Sequence, residues 1–401
     1  MTQQSTKPLT GIRIVDFSRF FAGPYCAQLL GDLGADVVKV ELPTTGDPLR
    51  GQGPPFFADN GITWYATNRN KRSITLNLQA EAGRAVAREL CLQADVVLEN
   101  FRPSVMARLG LDYASLSAQA PRLVYASISG FGPDGPDAEL GAFDLTIQAL
   151  GGYMSITGER TGAPIKLGTS AFDMLAGMNC QTAIVAALLQ RATTGRGQHV
   201  TTSLLESEVA FLANAALEYL MTGTEPLKWG SEHAQQVPYK AFRTSDGWAV
   251  IGAGFQNFFK AFCTILGRDD LVTDPRFSTM TVRVTNRYEL YAILDAEMLK
   301  FTTADIIASL ERAGVPCARV NNMREVFELA QVQHRGLRVE LDHPTYGTVP
   351  TLGPAARYSE FDITAGWTAP PQLGEHSTEV LSEWLGYSHL RIEELRATRI
   401  V

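Results

Sequence analysis

The 401-residue chain is 45% hydrophobic and 19% charged, the balance of an ordinary globular protein with room for two domains. Its formal net charge of −7 argues against nucleic acid or an anionic membrane as a partner, because both require a basic excess. The N-terminal stretch MTQQSTKPLTGIR lacks an apolar signal core, and no run is read as reaching the length of a membrane span, so a cytoplasmic protein is expected.

The five cysteines, Cys26, Cys91, Cys180, Cys263 and Cys317, are odd in number and lack CxxC spacing, which points to small buried hydrophobes rather than disulfides or a zinc site. The six histidines form no HExxH pair, so metal catalysis has no support.

In chain order, Ile12 to Phe17 is a β-branched run, Pro24 to Leu33 a helical stretch and Asp36 to Glu41 a second strand, which together make a βαβ unit. Ser73 to Leu78 alternates like a strand, and Glu81 to Gln93 is amphipathic at helical period. Val96 to Glu99 and Leu123 to Ser129 are further strands. The alternation predicts an α/β fold with an open, mostly parallel, Rossmann-like sheet, in which ligands bind beyond the carboxyl ends of strands. Gly130-Phe131-Gly132-Pro133-Asp134-Gly135 matches GxGxxG, but its prolines make it a turn, so a dinucleotide is not expected.

Met174 to Ala192 is apolar around its whole circumference, which predicts a buried helix. Thr194-Gly195-Arg196-Gly197-Gln198 is its glycine stop, and His199 to Leu205 reads as the next strand. Asp173 is the one acid at the mouth of this helix. From these residues alone an N-cap is the favoured explanation of it over chemistry.

Glu206 to Met221 reads as one long helix and Gly223 to Gln236 as an irregular connection. Tyr239 to Arg243 and Trp248 to Ile251 make a hairpin with an Asp246-Gly247 turn. Helices follow at Asn257 to Leu266, Asn286 to Leu299 and Ala304 to Ala313, then a strand at Val315 to Val320. The expected organisation is a large domain over 1–205, a linker helix over 206–221, a smaller α+β domain over 222–325 and a return to the large domain over 326–401.

Several blocks give the chain a wider resemblance: Asp16-Phe17-Ser18-Arg19-Phe20-Phe21-Ala22-Gly23-Pro24, Gly31 to Glu41, Asn68-Arg69-Asn70-Lys71-Arg72-Ser73-Ile74, Glu99-Asn100-Phe101 and Leu373-Gly374-Glu375-His376. With these, and with Asp173 at its fixed distance before the Gly195 turn, the sequence resembles the class III CoA-transferases, the family of formyl-CoA and carnitine CoA-transferases. The resemblance implies an interlocked homodimer and transfer of CoA between carboxylic acids, with an acyl-CoA thioester as substrate and no permanently bound cofactor. It implies Asp173 as the nucleophile, carrying first an acyl anhydride and then a CoA thioester. Amide groups at the helix mouth are expected to face an oxyanion, and small residues such as Gly168, Ala176 and Gly177 either make room for the thioester or pack helices closely.

For CoA, the resemblance places Arg19, Phe20, Phe21 and Ala22 at the pantetheine end. It places Asn100, Phe101, Val105 and Arg108 at the adenosine end, with Lys71, Arg72 and Leu76 close by. Three departures stand out from the formyl-CoA transferase pattern: Phe21 for a glutamine, Leu42 for an arginine and Gly141 for a lysine. Asp144 is expected to orient the site or to cap a helix. α-Methylacyl-CoA racemases share the fold, but they need a histidine where this chain has Phe143. A non-catalytic CoA-binding subunit is the remaining alternative.

Trp229 to His233, Val237 to Phe242, Asn321-Asn322-Met323 and His343-Pro344-Thr345 are most similar to the succinyl-CoA:glutarate CoA-transferase branch, and Ser231 to Gln236 stands where formyl-CoA transferases carry a glycine-rich flap. A dicarboxylate such as succinate, glutarate, malate or itaconate is therefore expected. Arg19, Arg50 and His233 are the candidate cations for its distal carboxylate.

Overall fold

A computed structural model describes residues 6–401, which divide into two compact units: 6–153, Leu167–Leu217 and Gln331–Val401 form one, Met154–Lys166 and Glu218–Ala330 the other. The sequence boundaries place 154–166 with the larger unit, whereas the fold gives that segment to the smaller.

In the larger unit the chain runs through β1 (Arg13–Asp16), α1 (Ala22–Asp32), β2 (Asp36–Glu41), β3 (Lys71–Thr75), α2 (Glu81–Gln93), β4 (Val96–Glu99), α3 (Pro103–Leu109), β5 (Val124–Ser129), α4 (Asp144–Leu150), α5 (Ala171–Thr194), β6 (His199–Ser203), α6 (Leu204–Phe211) and α7 (Ala213–Thr222). The six strands form one parallel sheet in the order β3-β2-β1-β4-β5-β6, with Val15 opposite Val38 on one side and Val97 on the other. Both faces are covered, which explains the continuous apolar runs. Val15, Val38, Val97 and Tyr125 point into one core with Val86 and Leu90 of α2. Their neighbours Ile14, Val37, Val96 and Ala126 point into the other with Cys26 of α1 and Cys180 of α5.

The chain builds the sheet outward from β1 in one direction, then returns to β4 and builds in the other. The crevice between the carboxyl ends of β1 and β4 is therefore the topological switch point, where open α/β sheets bind ligands.

α5 departs from expectation in one respect. Its buried stripe runs through Phe172, Ala176, Cys180, Ile184 and Leu188, but Met178 and Leu189 on the opposite side are 40% and 73% exposed. Its composition is mostly apolar while its packing within one chain is one-sided, with Asn179, Thr182 and Gln190 also on the exposed side. By length and hydropathy it is also the one helix among the described residues that passes for a membrane span, contrary to the sequence expectation. It ends at Gly195, which takes the left-handed conformation (φ +71°) as the glycine stop predicts. The single helix expected over 206–221 is two, α6 and α7, broken where Ala213 adopts φ +45°.

The smaller unit holds the hairpin β7 (Tyr239–Arg243) and β8 (Trp248–Gly252), joined by β9 (Cys317–Arg319) in a three-stranded antiparallel sheet. Helices α8 (Gln256–Ile265), α9 (Arg287–Met298) and α10 (Thr303–Arg312) complete it, and Phe242, Phe259, Phe262 and Leu294 form its core. Residues 331–401 return to the larger unit, where Leu381 and Trp384 of α11 (Ser377–Leu385) pack on the face covered by α2.

Candidate active site

Asp173 is the third residue of α5, after the N-cap Ser170, which makes no side-chain cap bond. The first-turn amides are satisfied from elsewhere. Asp144 Oδ1 accepts the N–H of Phe172 at 2.8 Å and, at longer range, that of Asp173 at 3.4 Å. Asp144 is buried, its Oδ2 accepts from Gln148 Nε2, and Gln148 Oε1 accepts the Leu167 N–H at 2.9 Å. Asp144 therefore does cap a helix, but the helix is α5, and it stands at the start of α4 while doing so.

This frees Asp173 from the role of cap. Its carboxyl is half-buried, and its pKa is pushed up to about 7, first by burial and then by the negative charge of Asp144, against a hydrogen bond from Ser170. A carboxylate of raised basicity that still ionises near neutrality suits a nucleophile. The expected oxyanion site at the helix mouth is not there: the amides of Phe172 and Asp173 go to Asp144, that of Ala171 to Thr169 O and that of Met174 to Ser170 O.

The switch-point loop after β1 is held by buried charges. Lys39 Nζ donates to Ser18 O at 2.7 Å and pairs with Asp47 at 3.0 Å; Asp16 accepts from the backbone and hydroxyl of Ser18. Asn100 locks the two sides of the crevice, accepting the Arg19 N–H and donating to the Arg19 carbonyl, each at 2.7 Å. The loop leaves Phe20 with φ +61°, a strained conformation for a side chain of that size, with its ring edge-on to Phe143 at 5.9 Å. The Arg19 guanidinium lies 5.1 Å from the centre of the Phe101 ring and has no ion pair among the described residues. Burial lowers its pKa.

Phe21 is half-buried beside Tyr25, Ala22 is buried, and Val105 and the exposed Arg108 lie on α3, where Arg108 donates to Ser104 Oγ at 2.7 Å. Arg19, Phe20, Asn100 and Phe101 are thus brought together, with α3 alongside.

Other expected residues are engaged elsewhere. Leu76 is fully buried in the core. Lys71 is sealed in, bonded to Asp16, Pro24 O and Asn68. Arg72 is spent on Asp36, Glu379 and Glu383, the latter two on α11. Arg50 is buried against Glu41 through two 2.8 Å bonds with its guanidinium 3.6 Å from the Trp64 ring centre, so it is no free cation. His233 lies in the smaller unit beside Tyr239, its Nδ1 accepting the Gln235 N–H at 3.0 Å. Of the small residues, Gly177 packs: a β-carbon there would stand 2.7 Å from the carbonyl oxygen of Ala22, where α1 crosses α5.

Three residues stand out to which the sequence assigns no role. Glu99, buried at the end of β4, accepts the Phe101 N–H at 2.8 Å and is pushed up to about 7 by burial. It lines a cavity of about 260 Å³ with Phe101, Met106, Tyr113 and His199. The Arg102 guanidinium lies 3.0 Å from where a Gly141 side chain would begin, which puts a cation at the position that lacks its lysine. Glu208 is the buried acid of α6, a helix that also carries the exposed Glu206, so the sequence does not set it apart as it does Asp173.

A family-wide sequence profile described as CoA-transferase family III matches residues 9–377. The chain belongs to CoA-transferase family III. This transferase is 40% identical over 397 residues to a mouse (Mus musculus) protein named succinyl-CoA:glutarate CoA-transferase, covering 99% of this chain and 91% of that one. It is 39% identical over 383 residues to the succinate–glutarate CoA-transferase of Agrobacterium fabrum, covering 94% and 95%. Its fold is similar to the crystal structure of a CAIB/BAIF family protein from Brucella suis, with a TM-score of 0.86 and 38% identity, covering 95% of this chain and 100% of that one. The transferase is an enzyme whose family acts on CoA thioesters.

Proposed function

We propose that this transferase moves CoA from succinyl-CoA to a second dicarboxylic acid of the glutarate class, with Asp173 as the carrier of the acyl group. The names of the relatives support the substrates, and the elevated, half-buried carboxyl of Asp173 at the mouth of α5 carries the mechanism.

In the first step an Asp173 oxygen attacks the thioester carbonyl, the C–S bond breaks, and CoA leaves as the thiolate with a mixed anhydride left on Asp173. The thiolate then attacks the Asp173 carbonyl, its C–O bond breaks, and the donor acid departs as a carboxylate. The acceptor carboxylate reverses these steps and regenerates Asp173. Protons and electrons balance without a further reactant. Water must be kept from both intermediates, and the half-buried setting of Asp173 serves that end.

CoA lies in this reading across the switch-point crevice, with its thiol end towards Arg19, Phe20, Phe21 and Asp173 and its adenosine end along Asn100, Phe101, Val105 and Arg108. Arg102 takes the place of a lysine at position 141 and holds a phosphate of CoA. Arg19, half-buried and without an ion pair among the described residues, is the cation for the distal carboxylate, and this leaves Arg50 to its structural pair.

The protein acts as a homodimer that covers Phe143, Leu145, Leu150, Met178, Leu189, Val209 and Phe211, all at least 40% exposed in the single chain. Racemisation is disfavoured because Phe143 leaves no imidazole beside Asp144. Incubation with succinyl-CoA and an acceptor acid, read by the mass of the new thioester, tests the function; no new thioester with any dicarboxylate of about three to six carbons contradicts it.

A further inference from the structure

Glu208 on α6 has no exposed surface. Its Oε1 accepts the Tyr153 N–H at 3.2 Å, while its Oε2 is sealed from solvent without a hydrogen-bond partner. Gly151 gives way to it: a β-carbon there would stand 2.6 Å from Glu208 Cδ. Tyr153, Phe172 and Phe211 close into an aromatic cluster nearby, with ring centres 5.1 to 6.2 Å apart. The turn that Glu208 grips ends α4, and α4 begins with Asp144, the cap that holds the Asp173 end of α5.

Asp144 from α4 is the charge that bears on Glu208, and Tyr153 on the gripped turn is titratable as well; on α6 itself Glu206 is taken up by Ser203. No cation pairs with Glu208 among the described residues. A buried carboxylate with an amide donor on one oxygen only and a like charge for company is a more expensive arrangement than the neutral acid. Burial accordingly pushes its pKa up to about 7, against the hydrogen bond from the Tyr153 N–H and with the Asp144 charge adding to it.

We propose that Glu208 is a positioning residue that works as the neutral acid: protonated, it clamps the Gly151–Tyr153 turn and, through α4 and the Asp144 cap, fixes where Asp173 stands. Ionisation places a second buried negative charge beside Asp144 and, although the carboxylate accepts the Tyr153 N–H more strongly, the repulsion between the two acids displaces the Asp144 cap. Turnover then requires Asp173 ionised and Glu208 protonated, two opposed titrations near neutrality, and the pH profile of kcat/KM is a bell. This rests on the reading of Asp173 as nucleophile.

Glu208→Gln keeps an acceptor for the Tyr153 N–H and cannot ionise. Its turnover at neutral pH is expected within about twofold of the parent, with the acid limb of the bell kept and the alkaline limb gone. Glu208→Leu removes the acceptor, and its kcat falls about tenfold at unchanged KM, the loss an orphaned amide brings. The charge state is read separately, without turnover, in an Asp173→Asn background, where the protonated-carboxyl infrared absorption at about pH 6, to which Glu99 also contributes, loses its Glu208 band on Glu208→Gln. An alkaline limb that persists in Glu208→Gln, a loss greater than about tenfold in that variant at neutral pH, or an infrared band that is absent or unaltered overturns the proposal. Normal exchange by Asp173→Ala overturns the nucleophile instead and leaves the infrared result to decide on Glu208.

Discussion

Asp144 accepts the backbone N–H of Asp173 while its charge keeps the Asp173 side chain protonated to higher pH. One acid serves the helix end so that the other need not, and the same contact raises the basicity of the group left over. Asp144→Asn separates the two roles, because its amide oxygen still caps while the charge is gone. The acid limb of the kcat/KM profile is expected to move down by less than about one pH unit, burial being the larger cause and unaffected. Asp144→Ala should move it similarly and lose about 1 kcal/mol of stability with the cap. Rate profiles and thermal unfolding of the two variants check this.

The elevated Asp173 also makes stability depend on pH in a definite direction. An aspartate that holds its proton to about pH 7 in the folded chain, against an ordinary value of 3.8, binds more protons folded than unfolded between those values. Stability conferred by the raised value is thus whole below about pH 4 and lost as pH rises to about 7. Asp173→Asn should therefore be more stable than the parent by roughly 2–4 kcal/mol at about pH 7.5 and equal to it near pH 4. Urea unfolding at the two pH values measures the difference.

At the α1–α5 crossing, Gly177 is a packing residue. Gly177→Ala pushes a methyl against the Ala22 carbonyl and should cost about 1–3 kcal/mol, visible as a lower midpoint of thermal unfolding.

Arg102 is assigned a phosphate by position alone, and substitution isolates that. Arg102→Ala is expected to raise KM for the acyl-CoA about tenfold with kcat little changed, the signature of uniform binding, and Arg102→Lys to restore most of it.

How far the sequence reaches is clear from particular elements. Asp36–Glu41, Glu81–Gln93 and Val96–Glu99 fall where periodicity puts them, because doubly covered strands and an amphipathic helix leave unambiguous patterns. The break at Ala213 is not legible, since a left-handed residue without glycine or proline carries no local mark. Asp144 reaches α5 from 29 residues away, and Arg50 finds Glu41 and Trp64 only after folding. The family resemblance singles out Asp173, Arg19 and Asn100, but it cannot say that Leu76, Arg72 and Arg50 are occupied in this chain, because burial and ion pairing are properties of the folded neighbours.

Hydroxylamine trapping puts the central claim to the most direct trial. The enzyme is incubated with succinyl-CoA and quenched with hydroxylamine, and its peptides are weighed. The expected result is a hydroxamate on Asp173 alone, with Asp173→Ala both unlabelled and inactive in exchange. A hydroxamate on another carboxylate, or an alanine variant that still exchanges at the parental rate, contradicts the account.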